Sequence, residues 1–391
     1  MFVEHTQDQK ALRRELRSYF DSLMTPEIRA GLTGAERGPA FRDLVARMGA
    51  DGWLGVGWPV EFGGQGRTLI EQQIWFEEAR RANVPLPFVT LNTVGPTLME
   101  KGTDAQKQRF LPGILAGRIH FSIGYTEPQA GTDLASLTTR AVREGGEYVV
   151  NGAKIFTTGA SDADYIWLAC RTDPDAPKHR GISILIVDTR SPGFSYSPID
   201  IFGGGQSWMT YFENVRVPAE MLVGPENGGW RLMTLQLNHE RIMLAAFATA
   251  GFQLFEDVRA WARATTDGDG RSVGEAGWVR RALAECHARL LALKVMNWRL
   301  AWELEQNRID PAQASAAKVY STETMIQVYR LLLEVVGVIG SVDESSPGAL
   351  LRGRLEWEYR HAQINTFGGG VNEIQRELVA MLGLGMPRVP R

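Results

Sequence analysis

Gly124-Tyr125-Thr126-Glu127-Pro128-Gln129-Ala130-Gly131-Thr132-Asp133 decides the fold when read with Asn151-Gly152-Ala153-Lys154-Ile155-Phe156-Thr157-Thr158-Gly159 a short way on. The first stretch follows a helical region and opens a strand-rich segment. Hydroxyls, glycines and one aromatic at these positions suit a flat ring with a polar edge, such as an isoalloxazine. Backbone N–H groups and threonine hydroxyls can bond that edge, glycine lets the chain approach closely, and Phe156 can lie beside the ring. Asn151-Gly152 sits between Glu147-Tyr148-Val149-Val150 and Lys154-Ile155-Phe156, a pattern that predicts a tight hairpin.

Upstream the pattern is helical. Gln7 to Leu23 places Leu12, Leu16, Phe20 and Leu23 on one face. Phe41 to Met48 predicts a second helix, ended by Gly49 and Gly52. Trp58-Pro59-Val60-Glu61-Phe62-Gly63-Gly64 reads as a loop, and helices follow over Leu69–Arg81 and Leu91–Lys101. Thr103 with Gln106 forms a capping box opening a helix with Phe110, Ile114 and Leu115. Downstream, Tyr165–Cys170, Ile182–Asp188, Phe194–Pro198 and Met209–Val217 read as strands. After Gly228-Gly229-Trp230 long helical periodicity returns over Arg231–Arg263, Gly277–Glu305, Pro311–Gly337 and Leu350–Leu382. The expected fold is multidomain α+β: an N-terminal helical domain over 1–118, a middle β-barrel or sheet domain over 119–228, and a C-terminal four-helix bundle over 229–391. Trp298, Trp302 and Trp357 read as bundle packing.

The bulk properties narrow the functional classes. A chain of 391 residues, 44% hydrophobic and 22% charged, is long enough for two or three domains with buried cores. A net charge of −3 offers no basic field for nucleic acid. The cysteines, Cys170 and Cys286, form no Cys-x-x-Cys pair, so neither a disulfide framework nor a structural zinc is expected. His120, His179, His287 and His361 have no metal-ligand spacing. The start lacks a basic flank followed by an apolar core, and no apolar run is read as reaching membrane-spanning length. These features fit a reducing cytoplasm.

The two opening stretches resemble the Thr-Glu-Pro-x-x-Gly-Ser/Thr-Asp and Asn-Gly-x-Lys-x-x-x-Thr signatures of the acyl-CoA dehydrogenases. Further matches are Pro59 to Gly64, Phe212-Glu213-Asn214-Val215-Arg216-Val217-Pro218, and the closing Gly368-Gly369-Gly370-Val371-Asn372-Glu373-Ile374-Gln375-Arg376. The three-part order covers nearly the whole chain. The resemblance implies α,β-dehydrogenation of an acyl-CoA thioester with FAD as hydride acceptor. That reaction needs a carboxylate to remove the α-proton and hydrogen-bond donors for enolate-like charge. Many members place the carboxylate in the C-terminal loop, at the position of Gly369 here. Branched-chain and long-chain members place it in a Glu-Arg-x-x-x-Ala pattern, which Glu240-Arg241-Ile242-Met243-Leu244-Ala245 resembles. Glu240 is therefore the implied base, a surface Glu paired with Lys or Arg being the alternative. The resemblance also implies Tyr125, Thr126, Gly131, Thr132, Phe156 and Thr158 as cofactor contacts. Thr132, Asn238, Arg241 and Gly370 are the implied substrate contacts, with a structural ion pair as the alternative for Arg241.

One departure from the family pattern points to a partner. Homotetrameric members lend a neighbour's FAD an Arg-x-x-Phe-Gly motif and a Gln-x-x-Gly-Gly-x-Gly stretch. Here the corresponding positions read Thr266-Asp267-Gly268-Asp269-Gly270 and Glu334-Val335-Val336-Gly337-Val338-Ile339-Gly340. Two carboxylates would repel a pyrophosphate. The implied assembly is an α2β2 heterotetramer with a homologous subunit and two FAD, resembling the actinobacterial steroid side-chain dehydrogenases and their base-bearing subunit. An electron-transferring flavoprotein is the implied acceptor. Alternatives are an acyl-CoA oxidase or flavin monooxygenase on the same fold, or a non-catalytic scaffolding subunit.

Overall fold

Capping and apolar spacing set the helices of the first part. The structure, a computed structural model, describes residues 4–32, 38–240, 244–306, 308, 310–343 and 346–388; the side chains of 235, 237–240 and 244–248 are not described. The first helix, α1 (Gln7–Leu23), opens on a Thr6–Gln9 capping box and buries the expected Leu12, Leu16, Phe20 and Leu23. Then come α2 (Pro26–Leu32), α3 (Pro39–Ala50) and α4 (Leu69–Arg81), the last opened by a Thr68–Glu71 capping box. Over the predicted helix Leu91–Lys101, a π-helical turn (Thr90–Val94) leads into α5 (Gly95–Lys101). The Thr103–Gln106 box opens α6 (Asp104–Leu115) as expected.

The middle part is a mixed sheet. Its strands are β1 (Phe121–Gly124), β2 (Arg140–Glu144), β3 (Glu147–Lys154), β4 (Tyr165–Arg171), β5 (Ile182–Asp188), β6 (Phe194–Asp200), β7 (Gln206–Pro218) and β8 (Leu222–Val223). The spatial order is β6-β7-β3-β2-β4-β5-β8, with β1 parallel to β4. β4 and β5, apolar over most of their length, are buried on both faces. Phe110 of α6 packs edge-on against Phe121 and Tyr165, so helices and sheet share one hydrophobic core.

The predicted Asn151-Gly152 hairpin is incorrect. β3 runs straight through these residues, and its register with β7 slips between Val150 and Gly152 as a bulge. The hairpin turn is instead Gly145-Gly146, which joins Glu144 of β2 to its partner Glu147. Local turn preference loses because both sides of β3 are occupied, by β2 and β7. Asn151 exchanges side-chain and backbone bonds with Asn214 on β7, which holds it in the ladder.

The last part contains α7 (Gly229–Glu240), α8 (Leu244–Ala264), α9 (Gly277–Glu305), α10 (Pro311–Val336), α11 (Arg354–Ala362) and α12 (Asn372–Leu378). The predicted single helix over Leu350–Leu382 is broken into α11, a short turn (Gln363–Thr366), a glycine loop and α12. Gly369 and Gly370 take φ of +67° and +96°, which no helix can continue through. One described helix, Pro311–Ser341, is long and apolar enough to cross a membrane by length and composition, which corrects the expectation that none would be. It packs against α8, α9, α11 and α12 as the central helix of the bundle, so its apolar surface has a protein explanation. Trp298 and Trp357 pack on His5 and His361, whereas Trp302 is 48% exposed with Arg308 over its ring.

Candidate active site

The loop after β1 is wound around one buried carboxylate. Glu127 accepts hydrogen bonds from the Thr138 and Thr139 N–H groups at 2.7 and 2.8 Å and from the Thr138 hydroxyl at 2.9 Å. Lys154, pointing inward from β3, donates to Glu127 Oε1 at 2.7 Å and to the Tyr125 carbonyl at 3.0 Å. Both side chains are essentially inaccessible. Burial alone would raise the Glu127 carboxyl, but Lys154 and the donors around it outweigh that and lower it to about 2. Burial pulls the Lys154 ammonium below the usual lysine range, against the upward pull of Glu127. A buried, fully bonded ion pair of this kind costs stability when one partner is removed, so it fixes the loop in place.

The second stretch is laid against the first by backbone bonds. Ile155 N–H donates to the Thr126 carbonyl at 2.8 Å, and Thr157 N–H donates to Trp208 on β7 at 2.9 Å. Between them Phe156 takes φ +59°, a left-handed conformation unusual for a bulky residue, and its ring is 55% exposed. Thr158 is exposed, with its hydroxyl 3.2 Å from that of Ser207 and its carbonyl accepting from Ser122. Among the described residues the Thr126 N–H makes no hydrogen bond. The Tyr125–Thr126 segment thus lies beside Ile155–Thr158, with Phe156 and Thr158 exposed and Tyr125 and Thr126 half-buried. Gly131 and Thr132 lie on the exposed outer limb of the loop, and a Cβ at Gly131 would meet nothing within 4 Å.

Two residues not singled out from sequence connect this surface to the last part of the chain. Trp167 Nε1 donates to the Tyr125 hydroxyl at 3.1 Å, and that hydroxyl donates to Gln236 Oε1. Gln236 is 1% exposed and stands one turn before Glu240 on α7. Its sequence signal was a polar residue at helical spacing among Leu232, Met233 and Leu237, which periodicity alone does not separate from a surface position. Glu240 is the last residue of α7, but its side chain and that of Asn238 are outside the described residues, as is the whole of Arg241. Gly370 sits on the glycine loop before α12, where a Cβ would come within 2.6 Å of Gln375 Nε2.

The two acidic positions flagged from sequence lie at a surface turn. Thr266 and Ser272 form an isolated bridge, and Asp267 Oδ1 accepts from the Asp269 and Arg271 N–H groups at 2.9 Å each. Asp267 and Asp269 are exposed. Val338 and Ile339, in the other departing stretch, are 90% and 46% exposed.

Comparison with known proteins places these features in a family. The N-terminal, middle and C-terminal domain models of acyl-CoA dehydrogenase match residues 6–118, 122–215 and 227–384. The chain is 50% identical to the acyl-CoA dehydrogenase FadE26 of Mycobacterium tuberculosis, over all of both chains. A chain of the ChsE4-ChsE5 complex from Mycobacterium tuberculosis superposes with a TM-score of 0.95 at 51% identity, covering all of both chains. A chain of the Tcur3481-Tcur3483 steroid ACAD does so with a TM-score of 0.94 at 54% identity, again with full coverage. The chain therefore belongs to the acyl-CoA dehydrogenases, a flavoprotein family of oxidoreductases.

Proposed function

We propose that this chain is the base-bearing subunit of a heteromeric FAD-dependent acyl-CoA dehydrogenase acting on a steroid side-chain thioester. The observation that carries the reading is the Tyr125–Gln236 hydrogen bond, which ties the ring-binding loop to the helical turn preceding Glu240. The residues present fit a flavin. Phe156 offers an exposed ring on a strained backbone, the Thr126 N–H has no partner within the described chain, and Thr158 offers a hydroxyl at the same edge. When bound, FAD supplies the two-electron acceptor for the hydride lost from the β-carbon of the thioester. Glu240 takes the α-proton as general base, its position on α7 being set by Gln236 one turn earlier. Phe156 and Thr158 orient the ring, Thr126 bonds its edge, and Gly131 and Thr132 leave the approach open. Asn238 and Arg241 help hold the CoA portion, Thr132 contacts the substrate, and Gly370 leaves room for a bulky acyl group.

The heteromer rests on charge. Asp267 and Asp269 stand exposed at the turn where an arginine would meet a neighbour's pyrophosphate, and Asp267 is committed to bonding its own loop. Two similar solved structures, the ChsE4-ChsE5 complex and the Tcur3481-Tcur3483 steroid ACAD, each pair two different proteins, which supports both the pairing and the substrate class. The test is Glu240→Gln in the complex of this chain with its related subunit. We expect retained flavin and a loss of dehydrogenation of about 10²–10⁴-fold, the size expected when a general base is removed. Turnover within a few-fold of the parent, with a steroid acyl-CoA as substrate, would exclude Glu240 as the base.

A further inference from the structure

Lys318 is a charged residue in an otherwise apolar and small-residue stretch of α10, Ala314-Ser315-Ala316-Ala317-Lys318-Val319, and it is only 6% exposed. Its ammonium has three protons and three acceptors. It donates to the Gly370 carbonyl at 2.7 Å, to Asn372 Oδ1 at 2.7 Å and to the Thr366 carbonyl at 3.2 Å. All three acceptors are neutral, and they lie on both sides of the Gly368-Gly369-Gly370 run. Among the described residues no carboxylate bonds the ammonium directly. This is an unusual arrangement for a buried lysine, whose charge is ordinarily neutralised by a paired carboxylate.

The loop it holds has little else to hold it. Gly368, Gly369 and Gly370 have no side chains, and all three are exposed. Three consecutive glycines carry the largest conformational entropy a loop can have. Asn372 is the second anchor: its amide donates to the Thr322 hydroxyl at 3.0 Å and to Glu323 at 3.1 Å. Arg376 pairs with the same Glu323. α10 and α12 thus form a polar brace, buried at Lys318, Thr322 and Asn372 and exposed at the Glu323–Arg376 pair, with Lys318 as its only reach across the glycines among the described residues.

We infer that Lys318 is the positioning residue of the Gly368–Gly370 loop, and that it sets the shape of the acyl pocket by clamping the loop's carbonyls without touching substrate. The inference rests on the reading above that Gly370 borders the acyl group. The clamp has a titration built into it. Burial lowers the Lys318 ammonium to about 8, with Glu373 and Glu323 pulling it back up. The charged groups around it are Glu323 on α10 and Glu373 and Arg376 on α12; residues 362–371 contribute none. Above that pH the neutral amine keeps two protons for three acceptors, and one bond is lost.

The experiment uses the full chain co-purified with its related subunit and compares the parent with Lys318→Met. Amide exchange over 363–372 reads the clamp directly, and steady-state kinetics with a steroid acyl-CoA and a short acyl-CoA read the pocket. We expect exchange in this segment to accelerate by about tenfold or more. We expect KM for the bulky substrate to rise about tenfold with kcat changed by less than about threefold, the pattern of lost positioning rather than lost chemistry. KM of the parent should rise between pH 7.5 and about 9, and Lys318→Met should lack that rise. Unchanged exchange over 363–372 would overturn the clamp itself. Accelerated exchange with unchanged KM for both substrates would leave the clamp standing and overturn its role in the pocket, along with the placement of Gly370 beside the acyl group. Should Lys318→Met fail to fold, Asn372→Ala removes one acceptor from the brace and is held to the same outcomes at smaller amplitude.

Discussion

Phe156 holds a left-handed backbone that a glycine would adopt without strain. Phe156→Gly should therefore leave the unliganded chain as stable as the parent or slightly more so, by up to about 1 kcal/mol, while weakening flavin retention. Thermal unfolding with and without FAD separates the two effects; equal FAD retention would remove Phe156 from the site. Thr158→Ala should likewise loosen flavin more than fold, because among the described residues its hydroxyl meets only Ser207 and the residue is exposed. Glu127 behaves differently because its partners are internal. Its carboxyl is lowered to about 2 from the usual 4.5, so its contribution to stability is complete above about pH 4.5 and is lost as pH falls through about 2. Glu127→Gln leaves Lys154 buried without a counter-charge and should cost about 3–5 kcal/mol at neutral pH. Its stability should also fall less steeply than the parent's between pH 4.5 and pH 2, which denaturant titrations at several pH values would reveal. Glu127 and Lys154 were both in the quoted stretches, yet their pairing was not legible there. Two charges separated by 26 intervening residues announce no contact until the strands are registered.

At the scale of elements, the bulge in β3 shows how a local signal is overruled. Asn-Gly is a turn pair when the flanking strands must pair with each other. Here β3 has partners on both sides, and the same residues become a bulge that lets Gly152 pass close to Thr139. A Cβ at Gly152 would come within 2.6 Å of Thr139 Oγ1 at a φ of +147°. Gly152→Ala should thus destabilise the chain by about 1–3 kcal/mol, measured as a lower denaturant midpoint. Since Lys154 and Phe156 follow directly, flavin binding should weaken in parallel; a variant as stable as the parent would show that the sheet relaxes freely there. The helices were more legible. Leu69–Arg81 and Gly277–Glu305 match their predicted spans because apolar periodicity and caps act within one segment. Leu350–Leu382 failed for the complementary reason: its periodicity continues across the glycine run, while Gly369 and Gly370 take conformations no helix tolerates.

For the whole molecule, the acidic turn at Asp267 and Asp269 makes a quantitative prediction. Made alone, this chain should bind FAD poorly and show no dehydrogenation; joined to a related subunit, it should hold one FAD for each pair of unlike chains. Mass measurement of the intact complex with flavin quantitation checks this, and a homotetramer of this chain carrying one FAD per subunit would contradict it. Replacing Asp267 and Asp269 by Asn should raise FAD affinity of the isolated chain only slightly, because Asp267 also organises its own turn.

The sequence by itself determined the family and the helix–sheet–helix order, because these reside in contiguous motifs and in periodicities that each segment carries alone. Only the tertiary structure decided which groups meet. Lys154 reaches Glu127, Tyr125 reaches Gln236 and Lys318 reaches Gly370 through register and helix packing, across separations that no local pattern encodes. It also decided that Asn151-Gly152 bulges instead of turning, since a strand with neighbours on both edges gains more from its ladder bonds than from a local reversal.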